Sequence, residues 1–290
     1  CLQMERREVF EEYHRFIREF ISWNFAQGLR IDHIDGLSDP FGYLNCLRGM
    51  AGKETYIAVE KILESGEQLP VKWPVQGSTG YDFLALVNNL FTCRKNYKAL
   101  LRFYRKISGL QKKPEEIIYQ KKKLILSEHM QGEWENLTSM FLEGHLLPDE
   151  AEISFEKLKE AIGEFLVTCP VYRLYSTSFP LSEEDQLMVR QIIKIAVKRN
   201  PAAREGLKIL YNLFLSAENI EDPQKENARR FFMRCMQFTG PLMAKGVEDT
   251  TMYHYNCFVA HNEVGDAPHS QGLSVKQFHD QMVLRQRQWP

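Results

Sequence analysis

Gly28-Leu29-Arg30-Ile31-Asp32-His33-Ile34-Asp35-Gly36 is the stretch whose reading decides the fold. A short apolar run ends in a carboxylate at Asp32, and a glycine-closed loop follows. The pattern returns at Tyr56-Ile57-Ala58-Val59-Glu60, where a second apolar run ends in Glu60. The spacing predicts strands over 29–32 and 55–59 with a short helix, 43–50, between them. Strand, helix, strand is the repeating unit of a β/α barrel, in which side chains at the C-terminal strand ends converge on one mouth. Side chains alternate along a strand, so Arg30 lies on the same face as Asp32. There its guanidinium can orient that carboxylate and keep it ionised. Two converging carboxylates in unequal surroundings are what acid/base and nucleophilic chemistry on a glycosidic bond requires.

The surrounding composition narrows the partners. The chain has 290 residues, 44% of them hydrophobic, which is enough for a substantial core. Net charge is −1, so nucleic acid is not the expected partner. Lys121-Lys122-Lys123 reads as a solvated helix face. No stretch is apolar for long enough to predict a membrane span, and no signal peptide is visible. The six cysteines are scattered without metal-ligand spacing and read as reduced thiols of a cytoplasmic protein. The chain starts at Cys1 inside a helical pattern and stops at Trp289-Pro290, which suggests a piece of a longer protein.

The apolar spacing predicts one helix across 1–26 and another from Tyr81 to Phe91. Between the second strand and that helix, Pro70, Pro74, Gly77 and Gly80 mark a long irregular loop. From about 95 the period becomes helical, with helices expected over 95–107, 114–143, 154–167, 182–198, 201–216 and 223–236. Asn200-Pro201 fits a cap followed by a first-turn proline, and Ser182 with Asp185 resembles a capping box. Glycines, acids and aromatics return over 238–266, and a last helix covers 274–288. The expected architecture is α/β: a partial (β/α)8 barrel carrying a large all-helical insertion. Its divisions are 1–94 and 237–290 for the barrel and 95–236 for the insertion.

Several polar motifs admit more than one use. His33 and Asp35 fit sugar-hydroxyl contacts, metal ligation together with Glu60, or hydrogen bonding within their own loop. Gln76-Gly77-Ser78-Thr79-Gly80-Tyr81-Asp82 is glycine-rich but lacks the Gly-Lys-Ser/Thr ending of a phosphate loop. Tyr81 in it fits either a sugar-stacking ring or a packed turn. Ala244-Lys245-Gly246-Val247-Glu248-Asp249-Thr250 reads as a loop. It and Asn262-Glu263-Val264-Gly265 fit either the lining of a polar groove or solvated turns.

Gly28–Gly36 resembles the nucleophile motif of the α-amylase superfamily of glycoside hydrolases. Further segments resemble one family within it, the maltooligosyl trehalose synthases. They are Leu37–Pro40, Val59-Glu60-Lys61-Ile62-Leu63 with Gly66–Pro70, Gly77–Phe83, Pro170-Val171-Tyr172-Arg173, Gly240–Thr250 and Asn262–Gly265. The resemblance implies an intramolecular transglucosylase that turns the reducing-end α-1,4 bond of a maltooligosaccharide into an α,α-1,1 bond with retention. It implies Asp32 as nucleophile, Glu60 as acid/base and Arg30 as the nucleophile's support. Substrate contacts are then expected from His33, Asp35, Lys61, Tyr81, Asp82, Lys245, Glu248, Asp249, Asn262 and Glu263. No metal or organic cofactor is implied, and the loops 70–83 and 244–263 would enclose the released glucose. A hydrolase acting next in the pathway, maltooligosyl trehalose trehalohydrolase, is the implied partner. The family's third catalytic aspartate and early barrel strands have no counterpart here, so the piece is expected to be inactive alone. An α-glucan hydrolase and a non-catalytic carbohydrate-binding module are the alternatives.

Overall fold

A computed structural model describes residues 2–148, 150–215 and 222–289. Helices α1 (Arg7–Tyr13) and α2 (Arg15–Ser22) precede strand β1 (Gly28–Ile31). Helix α3 (Pro40–Ala51) leads to β2 (Tyr56–Val59), and a long connection reaches β3 (Gly77–Ser78). Then come α4 (Tyr81–Leu90), α5 (Tyr97–Ser108), α6 (Pro114–His129), α7 (Gln131–Glu143), α8 (Phe155–Thr168), α9 (Glu183–Arg199), α10 (Arg204–Leu215) and α11 (Asp222–Met243). A π-helical stretch, Ala244–Thr251, is followed by α12 (Met252–His254) and α13 (Val275–Gln288). The chain divides into two compact units, Cys1–Pro114 with Met252–Pro290, and Glu115–Thr251.

The first unit holds a parallel sheet in the order β1-β2-β3. Gly28 to Ile31 pair in register with Tyr56 to Val59, and Ala58 and Val59 pair with Gly77 and Ser78. Arg48 of α3 fastens the helix to this sheet, donating to the carbonyls of Thr55 and Pro74 and to Gln76. The described strands make an open three-stranded sheet in a predominantly helical molecule, and a barrel is not established by them.

Among its described residues, the second unit has helices and no strand. Helix α8 lies at its centre, buried on all sides from Ala161 to Thr168. Phe141, Phe165, Phe214, Phe231 and Phe232 fill the core around it. Trp134 donates its indole N–H to the carbonyl of Lys159, 2.8 Å away, which satisfies the polar end of a buried ring.

Several expected boundaries move. The helix expected over 1–26 breaks at His14, whose buried ring contacts the Phe10 carbonyl and the Tyr43 hydroxyl. The 29–32 strand ends at Ile31, leaving Asp32 just beyond it. Asp39-Pro40, read as a turn, caps α3 instead: the Asp39 carboxylate accepts from Gly42 N–H, and Pro40 occupies the first turn. A third strand lies where an irregular loop was expected, because Gly77-Ser78 carries no apolar pattern to announce it. The 114–143 helix splits at Met130. Helix α11 runs through Gly240-Pro241 to Met243, since burial of Phe238, Leu242 and Met243 outweighs the broken backbone hydrogen bond. Helix α10 is described to Leu215, so the expected end at Ser216 lies outside the described residues.

Candidate active site

The parallel register sets Ile31 opposite Val59, so the next residues, Asp32 and Glu60, leave the sheet side by side. The Glu60 N–H donates to the Ile31 carbonyl at 2.7 Å and carries the pairing to the carboxylate itself. Arg30 donates from Nη1 to Asp32 Oδ1 at 2.6 Å and from Nη2 to Glu60 Oε1 at 3.2 Å. One guanidinium thus bridges the two acids, as its planar fork allows.

The loop after β1 closes on Glu60 from above. His33 takes a left-handed conformation, φ 47°, that turns its backbone N–H toward Glu60 Oε2 at 2.8 Å. Gly36 makes room for that turn, since a Cβ there would fall 2.3 Å from the His33 ring. Tyr81, the first residue of α4, donates its hydroxyl to Glu60 Oε1 at 3.4 Å.

The two acids differ in exposure. The side chain of Asp32 is 70% exposed and that of Glu60 20%. The hydrogen bond from Arg30, with side-chain hydrogen bonding to Glu60 adding to it, holds Asp32 below the usual carboxylate range. The arrangement offers an ionised, open carboxylate beside a second one whose oxygens are directed by a backbone N–H, a guanidinium and a phenol.

The other expected contacts fall in four places. Asp35 and Lys61 are buried and paired with each other, and Lys61 is also paired with Glu67. Asp82, in the first turn of α4, accepts from Ser78 Oγ at 2.9 Å and forms an ion pair with Arg285. Asn262 donates to the carbonyls of Met252 and Tyr255, so it holds the turn it belongs to, while Glu263 is exposed and accepts the Val264 N–H. Gly265, the last residue of that motif, has φ 83° and lies directly behind Tyr81: a Cβ there would be 2.9 Å from Tyr81 Cβ.

Lys245, Glu248 and Asp249 belong to the unit Glu115–Thr251. The segment read there as a loop is π-helical. Thr250 and Thr251 donate their hydroxyls to the carbonyls of Lys245 and Gly246 and so support the wide turn. Lys245 pairs with Asp249 at 2.6 Å on the surface, and the Tyr172 hydroxyl donates to Glu248.

Sequence reading missed a buried His261–Asp266 pair, Nδ1 to Oδ2 at 2.7 Å. Asp266 also accepts from Asn89 of α4, from Ser270 Oγ and from the Ala267 N–H, while His261 Nε2 meets Thr92 Oγ1 at 3.1 Å. Burial acts to raise the Asp266 pKa, but the hydrogen bonds from His261, Ser270 and Ala267 outweigh it and lower the value. The pair anchors the chain at Gly265, against Tyr81. A His and an Asp five residues apart give no periodic signal, though the neighbouring Asn262–Gly265 motif marks the region. Among the described residues, no group of three or more His, Cys, Asp or Glu side chains could hold a metal ion. No described helix is long and apolar enough to cross a membrane.

The chain is similar in sequence and fold to several known proteins. A Mycobacterium tuberculosis protein with the provisional name maltooligosyl trehalose synthase is 27% identical across the whole chain. The maltooligosyltrehalose synthase of Arthrobacter ramosus superposes with a TM-score of 0.83 over 99% of the chain, at 27% identity. A Sulfolobus tokodaii protein described as a hypothetical maltooligosyl trehalose synthase superposes with a TM-score of 0.72 over 98% of it, at 30% identity. The chain is homologous to the maltooligosyl trehalose synthases. It spans about a third of those proteins: 35% of the mycobacterial one and 34% and 33% of the two solved structures. No family model matches it.

Proposed function

We propose that this chain carries the reactive carboxylate pair of an intramolecular transglucosylase that converts maltooligosaccharides to maltooligosyl trehalose. The observation that carries the reading is the Arg30 guanidinium joined to both Asp32 and Glu60 at adjacent strand ends. Retention of configuration calls for two carboxyl groups about 5 Å apart, and acids bridged by one guanidinium suit that requirement.

In this reading Asp32 attacks the anomeric carbon of the penultimate glucose while Glu60 protonates the departing O4 of the terminal one. The C1–O4 bond breaks and a glycosyl ester forms on Asp32. The freed glucose stays in place, turns, and presents its anomeric hydroxyl. Glu60 removes that proton, and O1 attacks the anomeric carbon of the glycosyl ester; the bond from that carbon to Asp32 breaks, the α,α-1,1 bond forms and Asp32 returns to the carboxylate. Arg30 keeps Asp32 ionised, and Tyr81 holds Glu60. His33 lines the approach, with Asp82, Asn262 and Glu263 shaping the rim. The loop at 70–83 is proposed to help exclude water, which would otherwise capture the ester.

The division into barrel segments 1–94 and 237–290 around a helical insertion 95–236 is part of this proposal. So are a cytoplasmic location and a partner hydrolase that releases trehalose from the product. The chemistry assigned to Asp32, Glu60 and Arg30 needs no metal or organic cofactor.

The reading is tested by incubating full-length protein with maltopentaose and following reducing ends and free glucose together. Reducing ends should disappear with little glucose released. A rise in reducing ends would make the protein a hydrolase, and no change in either would make it a binding module.

A further inference from the structure

Lys61 follows Glu60 directly, and its side chain is 0% exposed. Its ammonium lies 3.3 Å from Asp35 Oδ2 and 3.0 Å from Glu67 Oε1, and it donates to the Ile62 carbonyl at 2.8 Å. Asp35 belongs to the loop after β1, on the turn that begins beside Asp32. Glu67 belongs to the loop after β2, and its second oxygen accepts the Glu64 N–H at 3.0 Å. Burial alone favours the neutral amine, yet Asp35 and Glu67 outweigh it and raise the Lys61 pKa. Burial pushes Glu67 upward against the pull of Lys61. An ammonium withdrawn this far from water is tolerated only where such pairing compensates for lost hydration.

The two loops are therefore tied twice. On the open side, Arg30 and the His33 N–H hold Glu60. On the closed side, Lys61 holds Asp35 and Glu67. We infer that Lys61 is a positioning residue whose buried ion pairs lock the loop after β1 to the loop after β2 and so set the separation of Asp32 and Glu60. It has no exposed surface with which to meet a sugar. The inference rests on the reading of Asp32 and Glu60 as the reactive pair. Their separation decides whether an ester can form, and a displacement of about 1 Å can cost about 10²-fold in rate.

The test uses full-length protein and maltopentaose. K61M keeps an unbranched side chain and removes the charge, whereas D35N leaves Lys61 paired with Glu67. For K61M, kcat for the loss of reducing ends should fall about 10- to 100-fold, with KM within about twofold of wild type. D35N should lower kcat in the same direction by a smaller factor, and it decides the matter alone if K61M does not fold. A raised KM at wild-type kcat would make Lys61 a substrate contact. A lower melting temperature with kcat and KM unchanged would leave it a support of the fold. Either result overturns the inference. D32N and E60Q, measured alongside, separate the two levels. Turnover retained in those variants removes the carboxylate-pair reading itself, whereas its loss there with wild-type kcat in K61M and D35N removes the positioning role alone.

Discussion

Two carboxylate clusters, one in each unit, each set an acid beside a cation and a tyrosine, and they differ in what they leave over. In the helical unit, Glu164 is 1% exposed and its oxygens are taken up by the Tyr119 hydroxyl, Lys123 Nζ at 2.6 Å and Asn200 Nδ2 at 3.0 Å. A carboxylate offers about four lone-pair sites, and here three protein donors reach its two buried oxygens. In the sheet-bearing unit, Arg30 holds Asp32 at 2.6 Å, and the Asp32 side chain is otherwise largely open to solvent. Satisfied and sealed, a carboxylate stabilises a fold. Oriented, ionised and open, it has capacity left for a substrate.

That contrast can be broken by substitution. D32N and E60Q should each lower turnover by about 10³-fold while leaving the unfolding midpoint within the error of the wild type. Equal activity, or a large loss of stability, would put these acids in the same class as Glu164. E164Q should do the reverse, because an amide leaves part of the donor set of Tyr119, Lys123 and Asn200 without an acceptor, which costs about 1–3 kcal/mol. Its urea midpoint should fall, with kcat unchanged where the protein is still folded.

A third carboxylate sharpens the comparison through pH. Asp266 is buried like Glu164 but supports the backbone behind Tyr81 through His261 and Asn89. Its pKa is depressed in the folded state. The stability it contributes is therefore present above the unfolded carboxylate value of about 3.9 and is lost as pH falls through the lower folded value. D266N should cost about 2 kcal/mol at pH 7, and the gap to wild type should close in acid. A gap that stayed constant from pH 7 to pH 2 would contradict this origin.

The smallest effect concerns Gly265. With φ 83° and Tyr81 directly in front of it, an alanine must displace the tyrosine or adopt strained backbone. G265A should lower kcat about tenfold through Tyr81, and Y81F should then add little to it. Additive losses in the double variant would place Gly265 on a separate path.

The parts of the site that sequence reveals are those written in short range. Asp32 and Glu60 each end an apolar run, and Arg30 sits two residues from Asp32, so alternation alone puts them on one face. The core helices are visible for the same reason, since a helical period of apolar residues needs no partner to be recognised. What stayed hidden depends on tertiary pairing. Lys61 carries a residue type that is nearly always solvated, and only Asp35 and Glu67 together explain its burial. β3 is two residues of Gly and Ser, too short for a pattern. The π-helical turn at 244–251 is supported by hydroxyls of Thr250 and Thr251 that mimic loop chemistry in the sequence.

The central claim is that Asp32 forms a bond to the sugar. It is tested most directly by treating full-length protein with a 5-fluoro-α-glucosyl fluoride, which slows breakdown of a glycosyl ester, and mapping the adduct by peptide mass spectrometry. The account predicts a single added fluoroglucosyl group on the peptide containing Asp32, absent from D32N. An adduct on Glu60 or on any other carboxylate would contradict it.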